Sequence, residues 1–72
     1  MKFSVKDVVR SKVDAQGMVK GELYRVHEVT TVRNFLGGYT RYQLRTLDEK
    51  TVLENVGNGH LILELVGTEA QS

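Results

Sequence analysis

The chain has no cysteine and only two histidines, His27 and His60. The absence of cysteine excludes disulfide bonds, thiolate nucleophiles and thiolate metal ligands together. Neither histidine has carboxylates at a spacing that would arrange a metal site, and no serine lies in a nucleophile-elbow context. We therefore expect a protein that is not an enzyme, holds no metal or cofactor and takes no small-molecule substrate.

Long apolar runs are also missing. The first seven residues contain no uninterrupted apolar stretch of the kind that a secretory signal has. No later run approaches the ~20 apolar residues of a membrane-spanning helix. The expectation is a cytoplasmic protein without a membrane partner.

The length and composition predict one small domain. A chain of 72 residues is near the lower limit for burying an independent core. With 40% hydrophobic and 26% charged residues, it has the balance of a chain that folds. We expect the domain to cover residues 1–66, and residues 67–72 to be a frayed tail because they have little to bury.

Charge is distributed unevenly along the chain. Up to Arg45 the chain has nine Lys or Arg residues and four Asp or Glu residues. From Thr46 onward it has one basic residue, Lys50, and five acidic residues. The first part thus carries +5 and the second −4, although the whole chain has a net charge of only +1. Any polyanionic partner is therefore expected on the first part.

The central segment, residues 22–47, predicts a long β-hairpin. Two runs rich in β-branched and aromatic residues flank a tip at residues 34–38, where two glycines let the chain reverse. A helix is the rival interpretation, because apolar residues recur at threes in the first run. Four consecutive β-branched residues, Val29–Val32, favour the strand because such side chains are restricted in a helix.

Alternation predicts the two faces of the hairpin. In its second arm, Thr40, Tyr42, Leu44 and Thr46 share one face, and the basic outward face carries Arg41, Gln43 and Arg45. In the first arm, Tyr24 and Val26 point inward, and a bulge near His27 and Glu28 is needed to return Val29 and Thr31 to the core.

Further strands are predicted over residues 7–12, 51–56 and 61–66, with a glycine-containing loop over residues 14–21. Together with the hairpin they predict an all-β fold, a small five-stranded antiparallel barrel with a long central β2–β3 hairpin.

Four segments resemble the small SH3-like barrels, including KOW-type modules: Asp7–Val9, Gly21–Val26, Tyr42–Leu44 and Asn58–Leu61. The resemblance covers nearly the whole chain and implies a fold, not a function. The chain departs from SH3 domains that bind proline-rich peptides, because it has no tryptophan and no acidic loop beside an aromatic pair. Polyproline recognition is therefore not expected.

One group of residues supports a nucleic-acid hypothesis. Arginines match phosphate oxygens bidentately, and an exposed aromatic ring stacks on an unpaired base for about 1–3 kcal/mol. RNA or DNA, single-stranded or structured, would then bind the hairpin face and tip. The candidate residues are Lys20, Arg25, Arg33, Phe35, Tyr39, Arg41 and Arg45.

Two alternatives remain open. In the first, Arg25 and Arg41 only keep the outer sheet soluble, while Phe35 and Tyr39 fold back onto the barrel. In the second, the hairpin binds another protein or a second copy of itself, with Phe35 and Leu36 as an apolar knob and Leu23 as its neighbour.

Overall fold

The computed structural model describes residues 3–57 and 59–68, which form one antiparallel sheet and a short helix. The elements are β1 (Asp7–Ser11), β2 (Leu23–Asn34), β3 (Gly37–Thr46), β4 (Val52–Val56), α1 (Gly59–Ile62) and β5 (Leu63–Thr68). The strand order is β4-β3-β2-β1-β5. The all-β class, the five antiparallel strands and the long β2–β3 hairpin are therefore confirmed.

The sheet is open. Backbone ladders join each neighbouring pair in the strand order, and within the described ranges none joins β4 to β5. The predicted closure into a barrel is thus absent from the backbone pairing. Val56 of β4 and Leu63 of β5, on the two edge strands, belong to the same core cluster.

The core lies against the base of the hairpin. The predicted inward residues Tyr24, Val26, Tyr42 and Leu44 are all buried. The Tyr42 hydroxyl accepts a hydrogen bond from the backbone N–H of Phe3, at 3.2 Å, and the two rings meet edge to face with centroids 5.7 Å apart. The remaining buried hydrophobic residues are Val9, Met18, Val56 and Leu63.

The predicted bulge in β2 is present. Val26 pairs with Leu44 and Glu28 pairs with Gln43, so that His27 has no partner of its own. The extra residue returns Val29 to the core side, where it packs against the buried cluster. Thr31, which was expected on the same face, is exposed because the core ends before it.

The chain between β4 and the last strand differs from the prediction. Residues 59–62 form one helical turn, so the final strand begins at Leu63 and not at residue 61. Gly59 is buried there against the ring of Tyr42, an approach that only a residue without Cβ permits. Asn58, part of the predicted break, lies outside the described residues.

β5 also runs beyond the predicted domain boundary. Gly67 pairs with Val8 and Thr68 with Asp7, and the Thr68 hydroxyl donates a 2.7 Å hydrogen bond to the Asp7 carboxylate. Residues 67 and 68 of the predicted tail therefore belong to β5. Its remainder, residues 69–72, lies outside the described part of the chain.

The hairpin is longer than the strands beside it. β1 pairs with β2 only at Leu23–Arg25, and β4 pairs with β3 only from Tyr42 to Arg45. Residues 30–40, called the distal ribbon below, have no backbone ladder to either strand. Both of its faces and both of its edges therefore reach solvent.

Candidate functional site

The outer face of the hairpin carries the predicted basic residues in one ladder. The register places Arg25 opposite Arg45, and Thr30 opposite Arg41, with Val32 opposite Tyr39 nearer the tip. Alternation puts these pairs on the face turned away from the core. The structure thus brings Arg25, Arg41, Arg45 and Tyr39 together as predicted.

A glutamate partly neutralises the base of this face. Glu49, in the turn after β3, lies 3.4 Å from the Arg45 guanidinium and 4.0 Å from that of Arg25. The carboxylate relieves the repulsion between two arginines that face each other across the strands. Because Glu49 is largely exposed, the pairs add little stability, but they reduce the positive potential that a phosphate would meet there.

The positive charge nearer the tip has no such counterion. Arg41 lies with its guanidinium carbon 5.8 Å from the centre of the Tyr39 ring, in a cation–π arrangement on one strand face. Within residues 3–57 and 59–68, no carboxylate comes within 4 Å of Arg33 or Arg41. No acidic residue occurs between Glu28 and Asp48.

Arg33 lies on the opposite face of the distal ribbon. It pairs with Gly38, one register position beyond the Val32–Tyr39 pair, and is exposed. A shallow concavity of about 380 Å³ opens there, lined in part by Thr31, Arg33 and Thr40. Arg33 and Arg41 therefore present cations on opposite faces of the hairpin.

The tip consists of two apolar side chains in solvent. Phe35 is 95% exposed and Leu36 is 84% exposed. The Asn34 side-chain oxygen accepts a 2.9 Å hydrogen bond from the backbone N–H of Leu36, which holds the turn. The loop is shorter than predicted: the two glycines already belong to β3, where Gly37 has φ +127°. The alternative that Phe35 folds back onto the core is wrong.

Lys20 and Leu23 lie far from the tip. Leu23 begins β2 and Asn34 ends it, so the twelve residues of this strand separate Leu23 from Phe35. Lys20 is in the preceding loop, where its backbone N–H donates to the Asp14 carboxylate at 2.7 Å. Leu23 is therefore not a neighbour of the knob, and Lys20 joins only the basal end of the face.

Sequence reasoning missed several residues beside Arg41. A small pocket of about 140 Å³ on the outer face is lined by Glu28 and Thr30 of β2, Arg41 and Gln43 of β3, and Glu54 and Asn55 of β4. The signal that could have found the β4 residues is weak, because Asn55 reaches the pocket through a left-handed backbone conformation with φ +59°.

The described residues contain neither a metal-ligand cluster nor a membrane-spanning helix. No three His, Cys, Asp or Glu side chains among them gather into an arrangement fit to hold a metal ion. No helix among them has the length and apolar character that crossing a membrane requires.

Comparison with known proteins gives no family. The chain matches no protein-family model, no curated protein and no solved structure. The site must therefore be interpreted from its own geometry.

Proposed function

We propose that this protein is a small non-enzymatic binding module that takes single-stranded or structured nucleic acid on the outer face and tip of its β2–β3 hairpin. The observation that carries the proposal is the distal ribbon. It projects beyond the sheet, carries Arg33, adjoins Arg41 and ends in exposed aromatic and apolar side chains, and neither arginine has a carboxylate within 4 Å among the described residues. Phosphate contacts and base stacking need this combination.

The arginines divide by their surroundings. Arg33 and Arg41 are the principal phosphate ligands, because neither forms an ion pair with a carboxylate of the described residues. Arg25 and Arg45 contribute less because they share Glu49. Lys20 extends the face at its basal end. Tyr39 and Phe35 supply the stacking surfaces, and a cytoplasmic location is the expected one for such a module.

The fold that we infer is of the SH3-like type. In its support, β1 lies between β2 and β5, and one helical turn connects β4 to β5. Nuclear Overhauser effects between side chains of Val56 and Leu63 would support a sheet that curls around one core. Their absence in solution would contradict it.

Salt dependence of binding tests the nucleic-acid proposal. We expect micromolar or weaker affinity for single-stranded RNA. Replacing both Arg33 and Arg41 with glutamine should flatten the slope of log affinity against log salt by about 0.7 for each lost contact. Fluorescence anisotropy with labelled oligonucleotides measures both quantities. No association with RNA or DNA even at low salt would refute the proposal.

Two variants serve as controls for that experiment. Arg10, in β1, pairs with Glu64 at 3.2 Å and lies opposite Leu23 at the base of β2, so Arg10→Gln changes the net charge without removing a proposed contact. It should leave the slope unchanged. Phe35→Ala should weaken binding at constant slope, because it removes stacking and no charge.

The second candidate function is protein recognition, including self-association, through Phe35 and Leu36. These two side chains are neighbours and are almost fully exposed. Protein recognition is favoured because large apolar side chains in solvent often mark a contact surface. An apolar tip contact should be insensitive to salt. A salt-insensitive dimer in sedimentation experiments, lost in Phe35→Ala, would support this candidate over nucleic acid.

A further inference from the structure

The pocket beside Arg41 forms where β4 departs from regular pairing with β3. Tyr42 pairs with Val56 and Leu44 with Leu53, so Glu54 and Asn55 together face Gln43. The irregularity turns these side chains toward the outer face, opposite Glu28 and Thr30 of β2. The result is a concave polar site in the middle of the outer face that is proposed to meet nucleic acid.

Two of the side chains that line this pocket, Arg41 and Gln43, each have a buried polar atom without a hydrogen-bond partner. Within residues 3–57 and 59–68, Arg41 comes within 4 Å of neither the Glu28 nor the Glu54 carboxylate, although all three share the pocket. The Nε atom of Arg41 and the Oε1 atom of Gln43 are buried without a hydrogen-bond partner. Buried polar groups are costly in this state, so both side chains would gain by turning toward a ligand that supplies the missing partners.

The size and charge of the pocket narrow the choice of ligand. Its volume of about 140 Å³ far exceeds the roughly 10–15 Å³ that a cavity needs to hold one water. A phosphate inside the pocket is a poor occupant, because the Glu28 and Glu54 carboxylates would repel it there, whereas a backbone phosphate outside the pocket still contacts the Arg41 guanidinium. The occupant must offer N–H donors to a carboxylate and acceptor atoms to an arginine.

We propose that the pocket binds an unpaired guanine of the nucleic acid through its Watson–Crick and Hoogsteen edges. This inference rests on the proposed function. Guanine presents O6 and N7 as acceptors, which suit the Arg41 guanidinium. Its N1–H and N2 amino groups are adjacent donors, which suit the carboxylate of Glu28 or Glu54, with Gln43 Oε1 as a further acceptor. Tyr39, beside Arg41, then lies in position to stack on a neighbouring base.

The other bases fit less well. Uracil offers a single N–H between two carbonyl acceptors, so a carboxylate at its edge meets repulsive oxygens. Adenine and cytosine each offer one amino group next to a ring acceptor. Only guanine combines two adjacent donors for a carboxylate with two adjacent acceptors for an arginine.

Single-site substitution in a short RNA tests the inference. The probes are a uridine heptamer, the same heptamer with one central guanosine, and two analogues in which inosine or 7-deazaguanosine replaces that guanosine. The wild-type protein should bind the guanosine heptamer about tenfold more tightly than uridine alone. Inosine, which lacks the N2 amino group, and 7-deazaguanosine, which lacks N7, should each lose most of this preference.

Protein variants identify the carboxylate. Glu28→Gln or Glu54→Gln should abolish the guanine preference while leaving uridine binding equal or tighter, because the change removes a negative charge near the phosphates. A variant with a damaged fold would bind both the guanosine and the uridine heptamer more weakly. Glu22→Gln, an exposed change before β2 and outside the pocket, should alter neither.

The outcomes separate the two proposals. Equal binding of the guanosine and uridine heptamers, or a preference that survives both glutamate variants, overturns the guanine inference and leaves nucleic-acid binding standing. No binding to any heptamer at low salt overturns both.

Discussion

The base of the β2–β3 hairpin contributes four side chains to the buried core: Tyr24, Val26, Tyr42 and Leu44. At the distal end of the same hairpin, Phe35 and Leu36 are exposed to solvent. The local sequence is of the same kind in both regions, rich in β-branched and aromatic residues. The difference lies in what covers each region, because β1 and β4 accompany only the base. Stability should therefore depend on the base, and binding on the distal ribbon and the outer face.

The sharpest test of this division is the loss of Tyr42. Tyr42→Ala removes a buried ring that packs edge to face on Phe3, and it should destabilise the domain by about 3–5 kcal/mol, enough to unfold a protein of this size. Phe35→Ala should leave the free energy of unfolding almost unchanged. Urea denaturation followed by circular dichroism measures both.

Gln43→Ala is the neighbouring control and should be nearly silent, since its side chain points away from the core. Equal losses at positions 42 and 43 would contradict the assignment of the two faces.

A smaller effect is expected at Gly59. A Cβ there would lie 2.6 Å from a Tyr42 ring atom, and this ring cannot move without disturbing its contact with Phe3. Gly59→Ala should cost about 1–3 kcal/mol as overpacking. Gly57→Ala is the matched control, because nothing lies within 4 Å of its Cβ position. A neutral Gly59→Ala variant in thermal denaturation would mean that α1 does not pack on the core.

A substitution in the distal ribbon should disturb the local structure without lowering the free energy of unfolding of the domain. A Cβ on Gly38 would approach the Val32 carbonyl oxygen to 2.6 Å, so Gly38→Ala should disrupt pairing within the ribbon only. Amide exchange near the tip should already be fast in the wild type, since an isolated two-stranded ribbon is marginally stable. Strong protection of the Phe35 amide in a dilute monomer would argue that the tip packs against something.

The smallest expected effect is in the turn after β3. Hydrogen bonds from the Thr46 hydroxyl and the Lys50 backbone N–H lower the pKa of Asp48 from its ordinary value of 3.8. Asp48 therefore stabilises the fold above its unfolded pKa, and this contribution disappears as the pH falls through the folded value. Wild type and Asp48→Asn should differ slightly in melting temperature at pH 6 and converge near pH 2. A difference that persists at pH 2 would rule out this linkage.

Prediction from sequence succeeded where the signal is local. The alternation through Tyr42 and Leu44 assigned the inner face of β3, and the break in alternation at His27 located the bulge. It failed where a residue's environment depends on distant strands. Strand alternation places Thr31 on the core face, but neither β1 nor β4 extends far enough along the hairpin to cover it.

The candidate site shows the same limit. Alternation placed Arg25, Arg41 and Arg45 on one face correctly, because it needs only strand periodicity. The predicted hairpin already separates Leu23 from the tip by the length of β2. Proximity along the chain did not reveal that Glu49 reaches two of the arginines. Glu54 and Asn55 reach the pocket only because β4 pairs irregularly with β3.

The sequence by itself determined the strands, the polarity of their faces and the concentration of positive charge in the hairpin, because backbone sterics and side-chain alternation act over a few residues. Tertiary structure alone decided how far the neighbouring strands accompany the hairpin, and hence which apolar residues are buried and which remain in solvent. It also decided which carboxylates face which arginines. These outcomes depend on pairing between segments distant in the chain, such as Val8 with Gly67, and no local pattern encodes that distance.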